Sequence, residues 1–99
     1  MVEIAAAGAA DRPAVVRLVA RLLAELEDSP SEFAGLDEGG ALRALETDGG
    51  AFHAFLAREG GEPVGVLTLT ESFAIYAGGR YGVIDELYVA PGHRSSGIG

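Results

Sequence analysis

The sequence predicts an α+β domain in which a short strand and two helices precede three hairpin-linked strands, so that helices pack on a mostly antiparallel sheet. Three observations carry this. Apolar residues recur at helical spacing between positions 15 and 26; glycine pairs punctuate the second half at 60–61 and 78–79; and the segments between and after those pairs are rich in valine, leucine and threonine.

Residues 2–6 form a short apolar run suited to a first strand, and 8–11 turn it into a helix. Asp11 is a favourable N-cap, with Pro13 in the first turn, where no amide donor is needed. Val15, Val16, Leu18, Val19, Leu22, Leu23 and Leu26 then fall on one side, and Arg17, Arg21, Glu25 and Asp28 on the other, the pattern of an amphipathic helix. Ser29-Pro30-Ser31 ends that helix. The polar stretch to Gly40 is a loop or a helix start with Asp37 as cap, followed by a short helix over 41–47 that Asp48-Gly49-Gly50 breaks.

Residues 51–58 read as a second strand whose imperfect alternation suits cover on both faces. Gly60 and Gly61 supply the positive φ of a tight hairpin, which makes strands two and three antiparallel neighbours. A third strand over 63–72, a turn over 77–80 and a fourth strand over 81–90 follow. There are no internal repeats and no interdomain linker.

A formal net charge of -8 excludes a general nucleic-acid partner, because phosphate-backbone binding requires clustered cations. All seven basic residues are arginine, so a Schiff-base lysine is excluded; the absence of cysteine excludes thiolate nucleophiles, disulfides and cysteine-based zinc sites. The first residues lack the basic-then-apolar order of a secretory signal, and no apolar run is long enough to span a membrane. A cytoplasmic setting is expected, and the Ala, Gly and Arg excess suits a GC-rich bacterial genome.

The fourth strand runs into Pro91-Gly92-His93-Arg94-Ser95-Ser96-Gly97-Ile98-Gly99. Closely spaced glycines after a strand let backbone amides converge on an anion, and Arg94 adds a positive charge. Gly92 and Gly97 have the spacing of a nucleotide-binding P-loop, but Ile98 and Gly99 stand where its Lys and Ser/Thr belong. The dinucleotide fingerprint is incomplete, and the Gly-x-Ser-x-Gly elbow of hydrolases is absent around Ser95 and Ser96.

The stretch from Val83-Ile84-Asp85-Glu86-Leu87-Tyr88-Val89-Ala90-Pro91 through Arg94-Ser95-Ser96-Gly97-Ile98-Gly99 resembles motif A, the acetyl-CoA-binding segment of the GNAT acetyltransferases. It is similar to the family's Ile-x-x-Leu-x-Val-x-Pro strand followed by Arg/Gln-x-x-Gly-x-Gly/Ala, and the upstream element order also resembles the family's N-terminal half. The resemblance implies a GNAT-like fold and acetyl transfer from acetyl-CoA to a primary amine of a small molecule or peptide. It implies pyrophosphate binding by amides of Arg94, Ser95, Ser96, Gly97, Ile98 and Gly99. Leu87, Tyr88 and Val89 would line the acetyl and pantetheine arm, chiefly through backbone groups beside a bulge. No metal is implied.

Attack by an amine requires its neutral form, so a nearby carboxylate is useful. Asp85 and Glu86 are the candidates, and only one of them faces the reaction centre unless a bulge intervenes. Glu86 is the expected catalytic residue, acting through water or by holding a cationic acceptor. The residues leave open that it is instead a solvated strand carboxylate or a bulge contact, and Asp85 reads as structural. Tyr88, His53 and His93 are further substrate-contact candidates, although a lone histidine near a turn is ordinarily a surface residue. Phe33, Phe52, Phe55 and Phe73 read as core or pocket wall, and the acidic stretch 32–38 as a solvated face or a steering charge for a cationic acceptor.

Complete GNAT domains continue with further helices and strands, so residues 1–99 are expected to be the N-terminal part of one such domain, weak in cofactor binding and without turnover alone. Strand four would then present an open edge suited to pairing, as in a homodimer. A non-catalytic acyl-CoA-binding module and a cofactor-free interaction domain are the competing readings.

Overall fold

The computed structural model describes residues 2–26, 37–45 and 50–96. Strand β1 (Val2–Ala6) leads through a 3-10 turn (Ala9–Asp11) into helix α1 (Arg12–Leu26); helix α2 (Glu38–Leu45) follows, then β2 (Phe52–Glu59), β3 (Glu62–Ala74), β4 (Gly79–Val89) and a 3-10 turn (Pro91–Ser96). The four strands form one sheet in the order β1-β2-β3-β4, antiparallel throughout. The expected α+β layout is therefore present.

Asp11 acts differently from the N-cap the sequence suggests. The 3-10 turn precedes α1, and the Asp11 carboxylate reaches back to accept the Gly8 amide at 2.8 Å. Its other oxygen takes Arg58 of β2 at 2.9 Å, which ties the helix entry to the sheet. Asp37 does cap α2, accepting the Gly40 amide at 2.9 Å, so the helix starts at Glu38 and absorbs Gly39 and Gly40. Residues 46–47 of the expected helix and 48–49 of the break lie outside the described residues, as does Phe33.

The core forms where α1 lies on the sheet. Val15 and Leu18 of α1 pack with Leu56, Val66 and Tyr88 from β2, β3 and β4. Burying such side chains stabilises the fold by about 1.5–3 kcal/mol each. Leu26, expected on the buried stripe, is exposed, because α1 at that point has run past the sheet-facing residues.

At the β2–β3 hairpin, Gly60 and Gly61 have φ of +59° and +85°, matching the right-handed twist of the strands they join. The sheet's second face differs from the sequence expectation for β2. Among the described residues helices cover one face, while Ile4, Phe55 and Leu87 stand on the other. Phe73 is also corrected: near the tip of the β3–β4 hairpin it is 73% exposed, beside the exposed Ile75 and Tyr76.

Candidate active site

Among the described residues β4 is an edge strand, and its pairing with β3 breaks once. Thr68 pairs with Glu86 and Leu69 with Ile84, leaving Asp85 as the extra residue of a β-bulge. Thr68 and Thr70 lie two apart on β3 and so share a face. The Thr68 hydroxyl donates to the Glu86 carboxylate and accepts the Glu86 amide at 3.1 Å; the Thr70 hydroxyl donates to Asp85 at 3.1 Å. The bulge thus overrides the alternation of a regular strand, and both carboxylates meet the same face of β3.

Below the bulge the backbone has a defined sense. The Ala90 amide bonds the Val64 carbonyl of β3 at 2.8 Å. Hydrogen-bonding direction alternates along an antiparallel strand, so Leu87 and Val89 turn their amides and carbonyls to the open edge. The Val89 carbonyl accepts Arg94 Nε there at 2.8 Å. The Leu87 side chain is 51% exposed on the face away from α1, whereas Tyr88 is 5% exposed and points into the core. By the same alternation the Tyr88 backbone turns to β3, so neither its side chain nor its backbone faces the open edge; burial, then Glu25, pushes its hydroxyl pKa up.

Arg94, Ser95 and Ser96 end the 3-10 turn; Gly97, Ile98 and Gly99 lie outside the described residues. The Arg94 guanidinium is engaged: Nη2 donates to both Glu25 oxygens, at 2.7 and 2.6 Å, and the group sits 5.6 Å over the Tyr88 ring. The Arg94 hydrogen bond holds the Glu25 carboxyl below its ordinary range, and Glu25 in turn raises Arg94. Glu25 was missed by sequence reasoning, since nothing in an exposed helical glutamate points to an arginine 69 residues away. Thr68 had a signal that went unread: a threonine on the same face of β3 as Val64 and Val66.

The two histidines are not isolated surface groups. His93 Nδ1 lies 2.7 Å from Glu59, and His53 Nε2 2.7 Å from Glu71, whose other oxygen takes Arg80 at 3.3 Å. Among the described residues no group of three or more His, Asp or Glu side chains is arranged to hold a metal ion, and no helix is long and apolar enough to cross a membrane.

On the helix side Glu86 opens into a cleft of about 240 Å³ between α1, α2 and the sheet. It is lined by Val15, Val16 and Val19 of α1, Ala41 and Leu45 of α2, Phe52 of β2, and by Thr68 and Glu86. The arrangement joins outward backbone donors on β4 to a carboxylate in an apolar recess, one residue apart.

The family model described as "Acetyltransferase (GNAT) family" matches residues 18–99. The chain belongs to this family. Among solved structures it is similar to ribosomal-protein-alanine N-acetyltransferase from Brucella melitensis biovar Abortus 2308, with 28% identity, a TM-score of 0.75, and coverage of 99% of this chain and 63% of that one. An integron cassette protein from the mobile metagenome of Cole Harbour Salt Marsh gives 30% identity and a TM-score of 0.80, over 97% of this chain and 61% of that one. A predicted acetyltransferase with acetyl-CoA from Clostridium acetobutylicum shares the fold at 19% identity, with a TM-score of 0.79 over 99% of this chain and 66% of that one. The chain thus spans less than two thirds of the length of the first two. A comparison with curated proteins gives no significant match.

Proposed function

We propose that residues 1–99 are the N-terminal part of a single N-acetyltransferase domain that passes acetyl from acetyl-CoA to a primary amine of a small molecule or peptide by direct attack. The observation that carries this is the bulge at Asp85 on an edge strand, below which Leu87 and Val89 turn their backbone groups outward.

Acetyl-CoA would supply an activated thioester at this edge. The Leu87 and Val89 backbone groups fit an extended pantetheine arm, which carries amides able to pair with a strand edge. An amide fixed there also stabilises negative charge developing on a carbonyl oxygen, with no reorganisation during reaction. Arg94 and the amides of Ser95, Ser96, Gly97, Ile98 and Gly99 would hold the pyrophosphate, and to do so Arg94 must share or release Glu25. Glu86 would hold the acceptor ammonium and take its proton, directly or through water; the neutral amine then forms the C–N bond as the thioester C–S bond breaks, and CoA leaves as the thiol, carrying the second proton that the nitrogen loses. The four-residue span from Glu86 to Val89 thus combines acid-base and backbone roles. A cytoplasmic setting and a bacterial source suit a cysteine-free, lysine-free chain.

The test is calorimetric titration with acetyl-CoA of the complete acetyltransferase domain that contains residues 1–99, paired with acetyl transfer to a panel of primary amines. Saturable binding with transfer supports the proposal. Binding without transfer to any amine would leave an acyl-CoA-binding module, and no binding at millimolar ligand would leave an interaction domain without cofactor.

A further inference from the structure

We infer that the cleft between α1, α2 and the sheet selects a compact primary amine whose carbon skeleton is apolar, with Glu86 receiving its ammonium group. This rests on the acetyl-transfer reading above, and it specifies the acceptor that reading leaves open.

The walls carry the argument. Val15, Val16, Val19, Ala41, Leu45 and Phe52 present hydrocarbon to the cleft, and among its described lining residues only Thr68 and Glu86 bring polar side chains. There the Thr68 hydroxyl is already committed, donating to the Glu86 carboxylate and accepting the Glu86 amide. Asp85 is held by Thr70. Recognition falls to Glu86, whose carboxylate has acceptor capacity beyond the one hydroxyl. Among the described lining residues Glu86 is the one anion in an otherwise apolar recess, which fits one cation on an apolar body. A polyhydroxylated amine would bury hydroxyls against valine and leucine with no partner, which disfavours it strongly. The volume, about 240 Å³, lies under the ~300–1,000 Å³ typical of pockets for drug-sized ligands, so the body is small.

Position agrees with chemistry. Glu86 is the residue before Leu87, and the Glu86 amide turns toward β3 while Leu87 faces the open edge. An ammonium held by Glu86 is therefore delivered beside the backbone donors that would fix an acetyl group.

The experiment is a heteronuclear NMR titration of the full chain with cyclohexylmethylamine, glucosamine and cyclohexylmethanol, with acetyl-CoA added to a parallel sample. Saturable methyl shifts at Val15, Val19 and Leu45 are expected for cyclohexylmethylamine, with at least tenfold weaker binding for the sugar amine and for the neutral alcohol. Glu86→Gln, which keeps an oxygen for the Thr68 hydroxyl, should weaken the amine about tenfold. Ala41→Leu, which narrows the cleft without touching Glu86, should weaken it as well and guards against a folding defect in the first variant. Equal affinity for glucosamine, or no methyl shifts with the apolar amine, overturns the inference. Amide shifts at Leu87 and Val89 with acetyl-CoA report separately on the acetyl-transfer reading: their absence beside intact amine binding sinks that reading alone.

Discussion

Arg94 and Glu25, 69 residues apart, are joined by a single guanidinium nitrogen that donates to both carboxylate oxygens at 2.7 and 2.6 Å. The pair fastens the turn after β4 to the last full turn of α1, and a third bond from Arg94 Nε to the Val89 carbonyl fixes the guanidinium against the strand. A diphosphate arriving at this turn competes with Glu25 for the same cation.

Glu25→Gln is therefore expected to tighten CoA binding about three- to tenfold, because charge-assisted hydrogen bonds are roughly twice as strong as neutral ones and the substitution removes the competing anion. Arg94→Ala should weaken CoA about tenfold or more while the thermal midpoint moves little, since both side chains are close to half exposed. Calorimetry at neutral pH, paired with thermal melts, checks both. Loss of folding in step with loss of binding would assign Arg94 to structure instead.

Acid should unfold the protein from a defined point. Among the described residues three carboxylates sit below their ordinary values: Glu25 chiefly through Arg94, Asp11 chiefly through the Gly8 amide and then Arg58, and Glu71 chiefly through His53. A depressed folded-state pKa means the unfolded chain binds protons first, so this stabilisation is complete above the unfolded values of 4.5 for Glu and 3.8 for Asp. It is lost as pH falls below them through the lower folded values. The melting midpoint followed by circular dichroism should drop below about pH 4.5, and Glu25→Gln should make that drop shallower.

Thr68→Val keeps the shape of a side chain that is 1% exposed and removes its hydroxyl. The Glu86 amide then loses its acceptor at the bulge, and the carboxylate loses a donor. Urea denaturation is expected to show a loss of about 1–3 kcal/mol, the cost of leaving buried polar groups unpaired. Thr68→Ser, which keeps the hydroxyl, should lose less.

Local patterning made much of the fold legible. The stripe from Val15 to Leu22 sets α1 on the sheet, and the Gly60-Gly61 pair sets the β2–β3 register. The strand sequence around Leu87 and Val89 marked the candidate site. What stayed hidden depends on contacts between segments distant in sequence. No local rule specifies that Glu25 meets Arg94 or that Thr68 braces Glu86, and the exposure of Phe73 depends on how far the β3–β4 hairpin projects past the helices. Asp85 and Glu86 showed the limit most plainly: strict alternation places them on opposite faces, and one unpaired residue reverses that.

Two glycine substitutions separate backbone strain from space. Gly61 has φ of +85° with nothing within 4 Å of a Cβ placed on it, so Gly61→Ala is penalised by conformation alone, about 1–2 kcal/mol. Gly92 has equal space and no positive φ, so Gly92→Ala should be neutral or stabilise by about 0.4–1 kcal/mol through the unfolded chain. Urea midpoints of the two variants check the contrast.

β4 is eleven residues long; all but Asp85 pair on one side with β3, its other side lies at the margin of the sheet among the described residues, and Ile84 and Leu87 beside that margin are 59% and 51% exposed. An edge of this length with apolar side chains is a template for another strand, and natural edges are commonly protected by a charge. Sedimentation is expected to show concentration-dependent self-association of the full chain. Ile84→Lys, outside the proposed acetyl-CoA contacts, places a cation beside the edge and should shift the equilibrium toward monomer with little change in circular dichroism. A wild-type species that stays at 10.1 kDa across the accessible concentration range would show that the edge is protected by the chain itself.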